Sequence, residues 1–335
     1  MRKRLMKFAA WLAVVIAGAA TVLVTVVQVR WQRTFDAPYP EIHASSDPAM
    51  IARGRYLVYG PAHCVACHAS SEENEAIKAG ATPPLAGGGK FALPLGTFYT
   101  PNLTSDAETG IARVSDPELA RVLRYGVMPD GRATLPFMEF HDLSDEDLTA
   151  VISFLRSQPA VRRAVPQHQF TFAGKAVMAF LIKPIGPSKA IRAKSPAEEA
   201  TVERGAYLAN SVAGCVECHT QRSKVDGSYI GAPFSGGNVF DVEGDPDTIL
   251  VTPNLTPSRT GHITSWPEEQ FVGRFGVGAG VPHTHMPWKL YQRMSESDVR
   301  AIYRYLRSLP PSNNDPGPTV QRKKKGPAPE QVAQR

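Results

Sequence analysis

Cysteine is scarce in this sequence, and every cysteine belongs to one of two short motifs. The 335 residues contain four cysteines, with Cys64 and Cys67 in HCVACH and Cys215 and Cys218 in GCVECH. No third pair follows, so the chain carries two copies of the motif and not a longer array. Because no cysteine remains outside the pairs, an enzyme that needs a further reactive thiolate is disfavoured.

Excess charge is absent from the body of the chain. The net charge is +6, but residues 1–7 carry four basic side chains and no acidic one, and residues 313–335 carry five basic against two acidic. The remaining residues therefore have a net charge of −1. A nucleic-acid-binding domain concentrates basic charge in its fold, so no nucleic acid partner is expected. The Pro-rich, basic tail at 313–335 is predicted to be disordered.

Charged residues are also absent from one long stretch near the N-terminus. Phe8–Val27 runs for twenty residues without a charge, and as a helix this run is about 30 Å long, enough to cross a bilayer. A signal-peptide cleavage site at Ala17–Ala19 would lie inside the run, so an uncleaved membrane anchor at 1–30 is favoured. The basic residues before it predict a single-pass protein of the inner membrane whose body faces the periplasm.

The body of the chain contains an internal repeat. RGRYLVYGPAHCVACH at 53–68 matches RGAYLANSVAGCVECH at 204–219, and PNLT at 101–104 recurs at 253–256. A Thr-Gly pair follows each PNLT. The repeat predicts one domain at 48–160 and a second at 200–312, joined by a connector at 161–199 that packs along or between them.

Each repeat also lacks the sustained polar and apolar alternation that would indicate a sheet. A short helix is predicted before each cysteine motif, and a Gly- and Pro-rich loop after it. Ser144 and Ser295 are each predicted to cap a terminal helix with an apolar stripe, and Pro159 and Pro310 to end these helices. The fold class expected from this pattern is mainly α.

The cysteine motifs allow several chemical interpretations. Paired zinc knuckles usually lie about 15–20 residues apart, whereas 147 residues separate Cys67 from Cys215. A thioredoxin-like dithiol would lie near a βαβ pattern, and a structural disulfide gives no reason for His68 and His219. Covalent haem explains all three residues of C-x-x-C-H, because two thiols bond to the porphyrin and the adjacent histidine ligates the iron. Two covalently bound haem c groups are therefore predicted.

A sixth iron ligand is expected for each haem, and methionine is the preferred candidate. In the second domain the prediction is Met286, which lies in a loop before the Ser295 cap. In the first domain it is Met138, although Met128 carries a similar Met-Pro pair. Met294 is predicted to be a core residue. Histidine is the main rival as a ligand, and the candidates are His141, His283 and His285.

RG-x-YL before C-x-x-C-H, followed by PNLT, Thr-Gly and a methionine near a capped helix, resembles the membrane-associated di-haem and tri-haem cytochromes c. These include the cytochrome c subunits of quinoprotein alcohol dehydrogenases and of gluconate-type dehydrogenases. The resemblance covers 48–312 and implies two tandem class I cytochrome c-like domains after an N-terminal transmembrane helix. In that family Met-Pro marks the axial methionine, which Met286-Pro287 matches and Met138-Glu139 does not.

The resemblance implies electron transfer in a periplasmic or membrane respiratory chain. The expected donor is a dehydrogenase or the quinol pool, and the expected acceptor is an oxidase or a soluble cytochrome. The alternative is a di-haem enzyme such as a peroxidase, which requires one haem with a labile sixth ligand. A redox sensor or assembly subunit is a third hypothesis.

Overall fold

The structure is a computed structural model that describes residues 2–138, 140–223, 228–242, 244–278 and 280–323. Most of its regular structure is helical, as predicted. The helices are α1 Arg2–Arg30, α2 Pro48–Tyr59, α3 Val65–His68, α4 Asn74–Lys78, α5 Asp116–Tyr125, α6 Asp145–Ser157, α7 Phe172–Phe180, α8 Val202–Tyr207, α9 Cys215–His219, α10 Glu268–Val277, α11 Trp288–Tyr291 and α12 Glu296–Ser308. A 3₁₀ turn forms at Ser71–Glu73, and a π-helical turn at Leu208–Val212 continues α8.

The chain divides into two units, each with its own core. The first contains Met1–Gly54, Val65–Glu75 and Thr82–Ala193, and the second contains Arg55–Cys64, Ala76–Ala81 and Lys194–Arg335. The division passes through α2 and the first cysteine motif. Inside the second unit, the Tyr56 hydroxyl donates to Asp298 at 2.6 Å, and Arg293 donates to the Ile77 carbonyl at 3.0 Å.

In the first unit, α2 crosses α6 at a glycine. A Cβ atom on Gly54 would lie 1.9 Å from the Ala150 carbonyl oxygen, so only glycine lets the two backbones meet. Beside it, Arg53 donates to the Asp147 carboxylate, which is fully buried. Ser144 accepts a hydrogen bond from the Asp147 backbone at 3.1 Å, which confirms the predicted cap of α6.

The second unit repeats this crossing between α8 and α12. A Cβ on Gly205 would lie 1.9 Å from the Ala301 carbonyl oxygen. Arg204 makes two hydrogen bonds to Asp298, at 2.8 and 3.0 Å, and both side chains are almost completely buried. The repeated Arg-Gly pair of the sequence is therefore the contact that joins the first and last helix of each repeat.

Each unit also contains one small antiparallel sheet, which the sequence pattern did not predict. The strands are β1 Lys90–Leu93, β2 Gly96–Tyr99, β3 Gln169–Phe170, β4 Val239–Val242, β5 Asp245–Val251 and β6 Val320–Arg322, in the orders β1-β2-β3 and β4-β5-β6. The strands of the first sheet have four residues or fewer, too short for alternation to stand out. The predicted loops also contain α5 and α10.

Two segments outside the helix crossings contain regular structure. In the connector, which was predicted to pack along or between the repeats, β3 pairs with β2 and α7 packs against α1, all within the first unit. The tail predicted to be disordered is ordered as far as 323, since β6 pairs with β5 in the register Ile249 to Gln321. The rest of that predicted tail, 324–335, lies outside the described residues.

Candidate haem sites

The second cysteine motif lies on one short helix. Gly214 precedes α9 in a left-handed conformation, with φ 60°, and this turn starts the helix at Cys215. Residues three and four positions apart lie on the same face of a helix. Cys215, Cys218 and His219 have this spacing, so the helix presents two thiols and one imidazole on the same side.

The imidazole of His219 is held in one tautomer. Its Nδ1 lies 3.2 Å from the Pro253 carbonyl oxygen, and because a carbonyl can only accept, Nδ1 carries the proton. Nε2 is then the nitrogen available to a metal. Burial lowers the pKa of His219 to about 4, so the ring is the neutral ligand that iron requires.

The first motif holds its histidine in the same way. His68 is buried, with 7% of its surface exposed, and its Nδ1 lies 3.2 Å from the Pro101 carbonyl oxygen. Burial lowers the pKa of His68 as well. Both prolines begin a PNLT segment, 33 or 34 residues after the histidine. The sequence predicted the repeat of PNLT but not this role, for which the nearly equal spacing from histidine to proline was the available signal.

The asparagine of PNLT organises the loop around each proline. In the second repeat, Asn254 accepts from the backbone and hydroxyl of Thr256 at 2.9 and 2.8 Å. Its amide donates to Thr260 at 3.1 Å and to the Ser312 carbonyl at 2.9 Å. Asn102 makes the corresponding bonds in the first repeat, to Thr104, Thr109 and the Val161 carbonyl. PNLT and the Thr-Gly pair therefore form one buried polar network beside each histidine.

In the second unit, Cys215, Cys218, His219 and Met286 line one cavity, whose empty volume is about 1220 Å³ including its open mouth. Apolar and aromatic side chains make up most of the remaining wall, among them Phe240, Leu250, Ile263, Trp266, Phe271 and Phe275. Two thiols for attachment of the ring, and a neutral imidazole and a thioether as iron donors, are the groups that a covalently attached haem requires. The residues present therefore fit haem c.

Two ionisable residues of this cavity were not identified from the sequence. His262 and Arg274 both line it, and Arg274 stacks over Trp288 with its guanidinium carbon 4.4 Å from the ring centroid. Burial, followed by the charge of Arg274, lowers the pKa of His262. Neither residue belongs to a repeated motif, so only the fold brings them to the cavity.

The other predicted ligands and their rivals lie in different environments. Met294 is buried, which confirms its assignment to the core. His285 lines the cavity of the second unit and stacks on Phe240, with centroids 5.1 Å apart. Met138 is half-buried, next to an exposed Phe137 that contacts Phe98. Ligation by Met138 and Met286 stays a prediction.

The cysteines are in the thiol form that haem attachment requires. Cys64, Cys67, Cys215 and Cys218 form no disulfide with one another. Among the residues that the structure describes, no three or more His, Cys, Asp and Glu side chains gather into a metal-binding group. Burial raises the pKa of Cys215 to about 12, so its thiol is neutral before it reacts.

Comparison with known proteins agrees with this geometry. The family model for cytochrome c matches residues 51–159 and 202–310. The chain therefore belongs to the cytochrome c family, with two tandem cytochrome c domains and two covalently bound haem c groups.

Three curated relatives illustrate the likeness. A subunit of the nicotinate dehydrogenase of Pseudomonas putida is 31% identical over 89% of this chain and 24% of its own length. The cytochrome c subunit of the quinone alcohol dehydrogenase of Gluconobacter oxydans is 28% identical over 79% of this chain and 56% of its own length. A diheme cytochrome c-type protein of Cereibacter sphaeroides is 25% identical over 88% of this chain and 97% of its own length. The chain thus spans about a quarter of the length of the first relative and a little over half of the second.

Proposed function

We propose that this protein is a di-haem electron-transfer subunit that accepts electrons from a dehydrogenase or a quinol and passes them to an oxidase or a soluble cytochrome. One observation carries the proposal: the imidazole of each C-x-x-C-H histidine has its Nδ1 bonded to a proline carbonyl, at 3.2 Å in both repeats. This arrangement prepares two equivalent imidazole ligands in one chain.

The chain's own residues have distinct roles in this proposal. When bound, haem supplies a one-electron Fe(III)/Fe(II) couple. Cys64 and Cys67 would hold one ring, and Cys215 and Cys218 the other, through thioether bonds, with His68 and His219 as iron ligands. The carbonyls of Pro101 and Pro253 fix the imidazole tautomer and raise its basicity. The apolar wall of the cavity in the second unit limits the access of water and so favours a higher reduction potential.

Methionine is proposed as the second axial ligand of each haem. Met286 is supported by its place in the cavity that holds Cys215, Cys218 and His219. Met138 is supported by its place in the corresponding loop before the Ser144 cap of α6. A haem iron with histidine and methionine ligands has no open position for substrate, which favours electron transfer over catalysis.

The location and partner are proposed from two further observations. Helix α1 is long and apolar enough to cross a membrane, and we take it as an uncleaved anchor in the inner membrane, with the haem domains in the periplasm. Relatives of this chain are named as cytochrome subunits of alcohol, fructose and gluconate dehydrogenases. A dehydrogenase that delivers electrons to the chain is therefore the proposed partner.

A redox titration of the purified holoprotein, combined with ligand-binding spectra, tests this function. We expect two one-electron waves, a near-infrared Met-to-iron band from each haem, and no binding of carbon monoxide to the reduced protein. Met286→Ala and Met138→Ala should each remove one band. If Met138→Ala leaves both bands, the first axial assignment is wrong. A haem that binds carbon monoxide in a protein that turns over peroxide would overturn the carrier function.

A further inference from the structure

Helix α7 turns an entirely apolar face outward. That face consists of Phe172, Ala173, Ala176, Val177, Phe180 and Leu181. Phe172, Phe180 and Leu181 expose 47%, 41% and 67% of their surface. The opposite side of the helix holds Gly174, Met178 and Ala179, which are buried. The outward face is therefore the more apolar side of a helix that already covers part of the core.

This distribution is the reverse of what an aqueous surface favours. A helix on the surface of a soluble protein normally places polar residues on its outer face. Contiguous exposed apolar side chains mark a surface that another body covers. The patch continues past the end of the helix, since Ile185 is 50% exposed.

The position of α7 along α1 indicates what covers it. Lys175 Nζ lies 3.4 Å from Gln28 Oε1 and 4.9 Å from the Trp31 ring centroid. At the other end of α7, Arg30 lies 5.8 Å from the Phe180 ring centroid. On the α1 side, these contacts are made by residues within 28–31. These residues directly follow the uncharged run Phe8–Val27.

A further contact fixes the segment after α7 at the same level. Arg33 Nη2 donates to the Ile182 carbonyl at 2.7 Å, and Trp31 packs on Phe170 with centroids 5.5 Å apart. Tryptophan, phenylalanine and basic side chains are the residues that collect where a membrane-spanning helix leaves the hydrocarbon. The apolar face of α7 is thus fixed at the depth where α1 would pass from lipid to water.

We propose that α7 and the residues up to Ile185 form a second membrane contact, in which the apolar face of α7 lies in the interfacial layer of the bilayer that α1 crosses. This inference rests on the proposed anchoring by α1. The contact holds the first unit at the membrane surface through two elements instead of one. It limits the tilt of that unit relative to its anchor.

Photo-crosslinking of the full-length holoprotein to lipid tests the proposal. The protein is reconstituted in vesicles of phosphatidylcholine and phosphatidylglycerol that contain a diazirine-labelled acyl chain, and adducts are mapped by mass spectrometry. We expect adducts on α1 and on 172–181, and none on α5, a helix of the same unit. Adducts on α1 alone would overturn the contact made by α7 and leave the anchor standing. Absence of adducts from α1 would overturn the proposed anchor, and the second contact with it.

Single cysteine variants give an independent measurement, because the native cysteines are consumed by haem attachment. In vesicles, a charged maleimide should modify Leu181→Cys at least about tenfold more slowly than Ala112→Cys, an exposed position in the same unit, because the reagent does not enter lipid. Val14→Cys, on α1, reports the lipid-buried limit. Equal rates at 181 and 112, with 14 protected, would overturn the proposal and favour a protein partner on this face.

Discussion

Replacement of Gly205 by alanine should break the contact between α8 and α12. The added Cβ would lie 1.9 Å from the Ala301 carbonyl oxygen, 2.4 Å from its carbonyl carbon and 2.8 Å from Tyr305 Cβ. The lower limit of ordinary contact is 3.4 Å, so the helices must move apart by about 1.5 Å. Two of the three obstructing atoms belong to the backbone, which has no alternative rotamer.

The cost follows from the packing around this point. Overpacking of a close-packed core typically costs about 1–3 kcal/mol, and the upper end applies here because backbone meets backbone. Alanine regains roughly 0.5–1 kcal/mol of helix propensity over glycine. The expected net loss for Gly205→Ala is about 2 kcal/mol. Ile302 and Leu306 of α12 line the haem cavity, so the displacement should also perturb the haem absorption spectrum.

A helical glycine of the same unit provides the control. Gly273 lies in α10, and a Cβ there would have no atom within 4 Å. Gly273→Ala should therefore stabilise the second domain by about 0.5–1 kcal/mol. The measurement is guanidinium denaturation of both holoprotein variants, followed by circular dichroism and by the Soret band.

The two substitutions must change the free energy of unfolding in opposite directions. Gly205→Ala at least as stable as Gly273→Ala would refute the claim that the glycine permits the helix crossing. Gly54→Ala repeats the test in the first unit, because a Cβ there would lie the same 1.9 Å from the Ala150 carbonyl oxygen. A two-domain protein need not unfold in one transition, so each variant should shift the transition of its own unit.

Three further predictions concern polar groups. Asn254→Ala should destabilise the second domain by about 1–3 kcal/mol, because it leaves buried hydrogen-bonding groups without partners; an unchanged denaturation midpoint would show that water replaces the amide. Arg204→Ala should cost about 3–5 kcal/mol, since Asp298 then remains as a buried charge; the double variant with Asp298→Asn should recover part of that loss, and the absence of recovery would contradict an ionic origin. Hydrogen bonds from the Ser115 backbone and hydroxyl lower the pKa of Glu118 below its ordinary 4.5. The stabilising effect of the ionised Glu118 is therefore present above pH 4.5 and disappears as the pH falls through the lowered pKa. Urea midpoints at several pH values should show this acid-dependent loss in the native protein and a smaller one in Glu118→Gln, and identical profiles would count against the capping role.

The features that could be read from the sequence are those that depend on neighbouring residues. The C-x-x-C-H motif places Cys215, Cys218 and His219 on one side of α9 through helix geometry alone. The caps at Ser144 and Ser295 depend on a backbone N–H three residues away. The prediction of a membrane span at α1 depends only on the length of its uncharged run. Each of these predictions rests on spacing within one or two turns, which folding of the rest of the chain does not change.

Other features depend on residues that are distant in the sequence. Arg204 meets Asp298 across 94 positions, and His219 meets the Pro253 carbonyl across 34. The repeat marked these residues without revealing their partners. The strand β6 in the predicted tail also needs its partner β5, because an isolated three-residue segment carries no detectable period.

The sequence alone therefore determined the two haem attachment motifs, the two repeats and the apolar N-terminal run. Only the tertiary structure decided which carbonyl orients each histidine, which glycine admits the helix crossing, and that α7 lies against the end of α1. The physical reason is that attachment chemistry and helix capping are local, whereas burial and close approach depend on which distant segments share a surface.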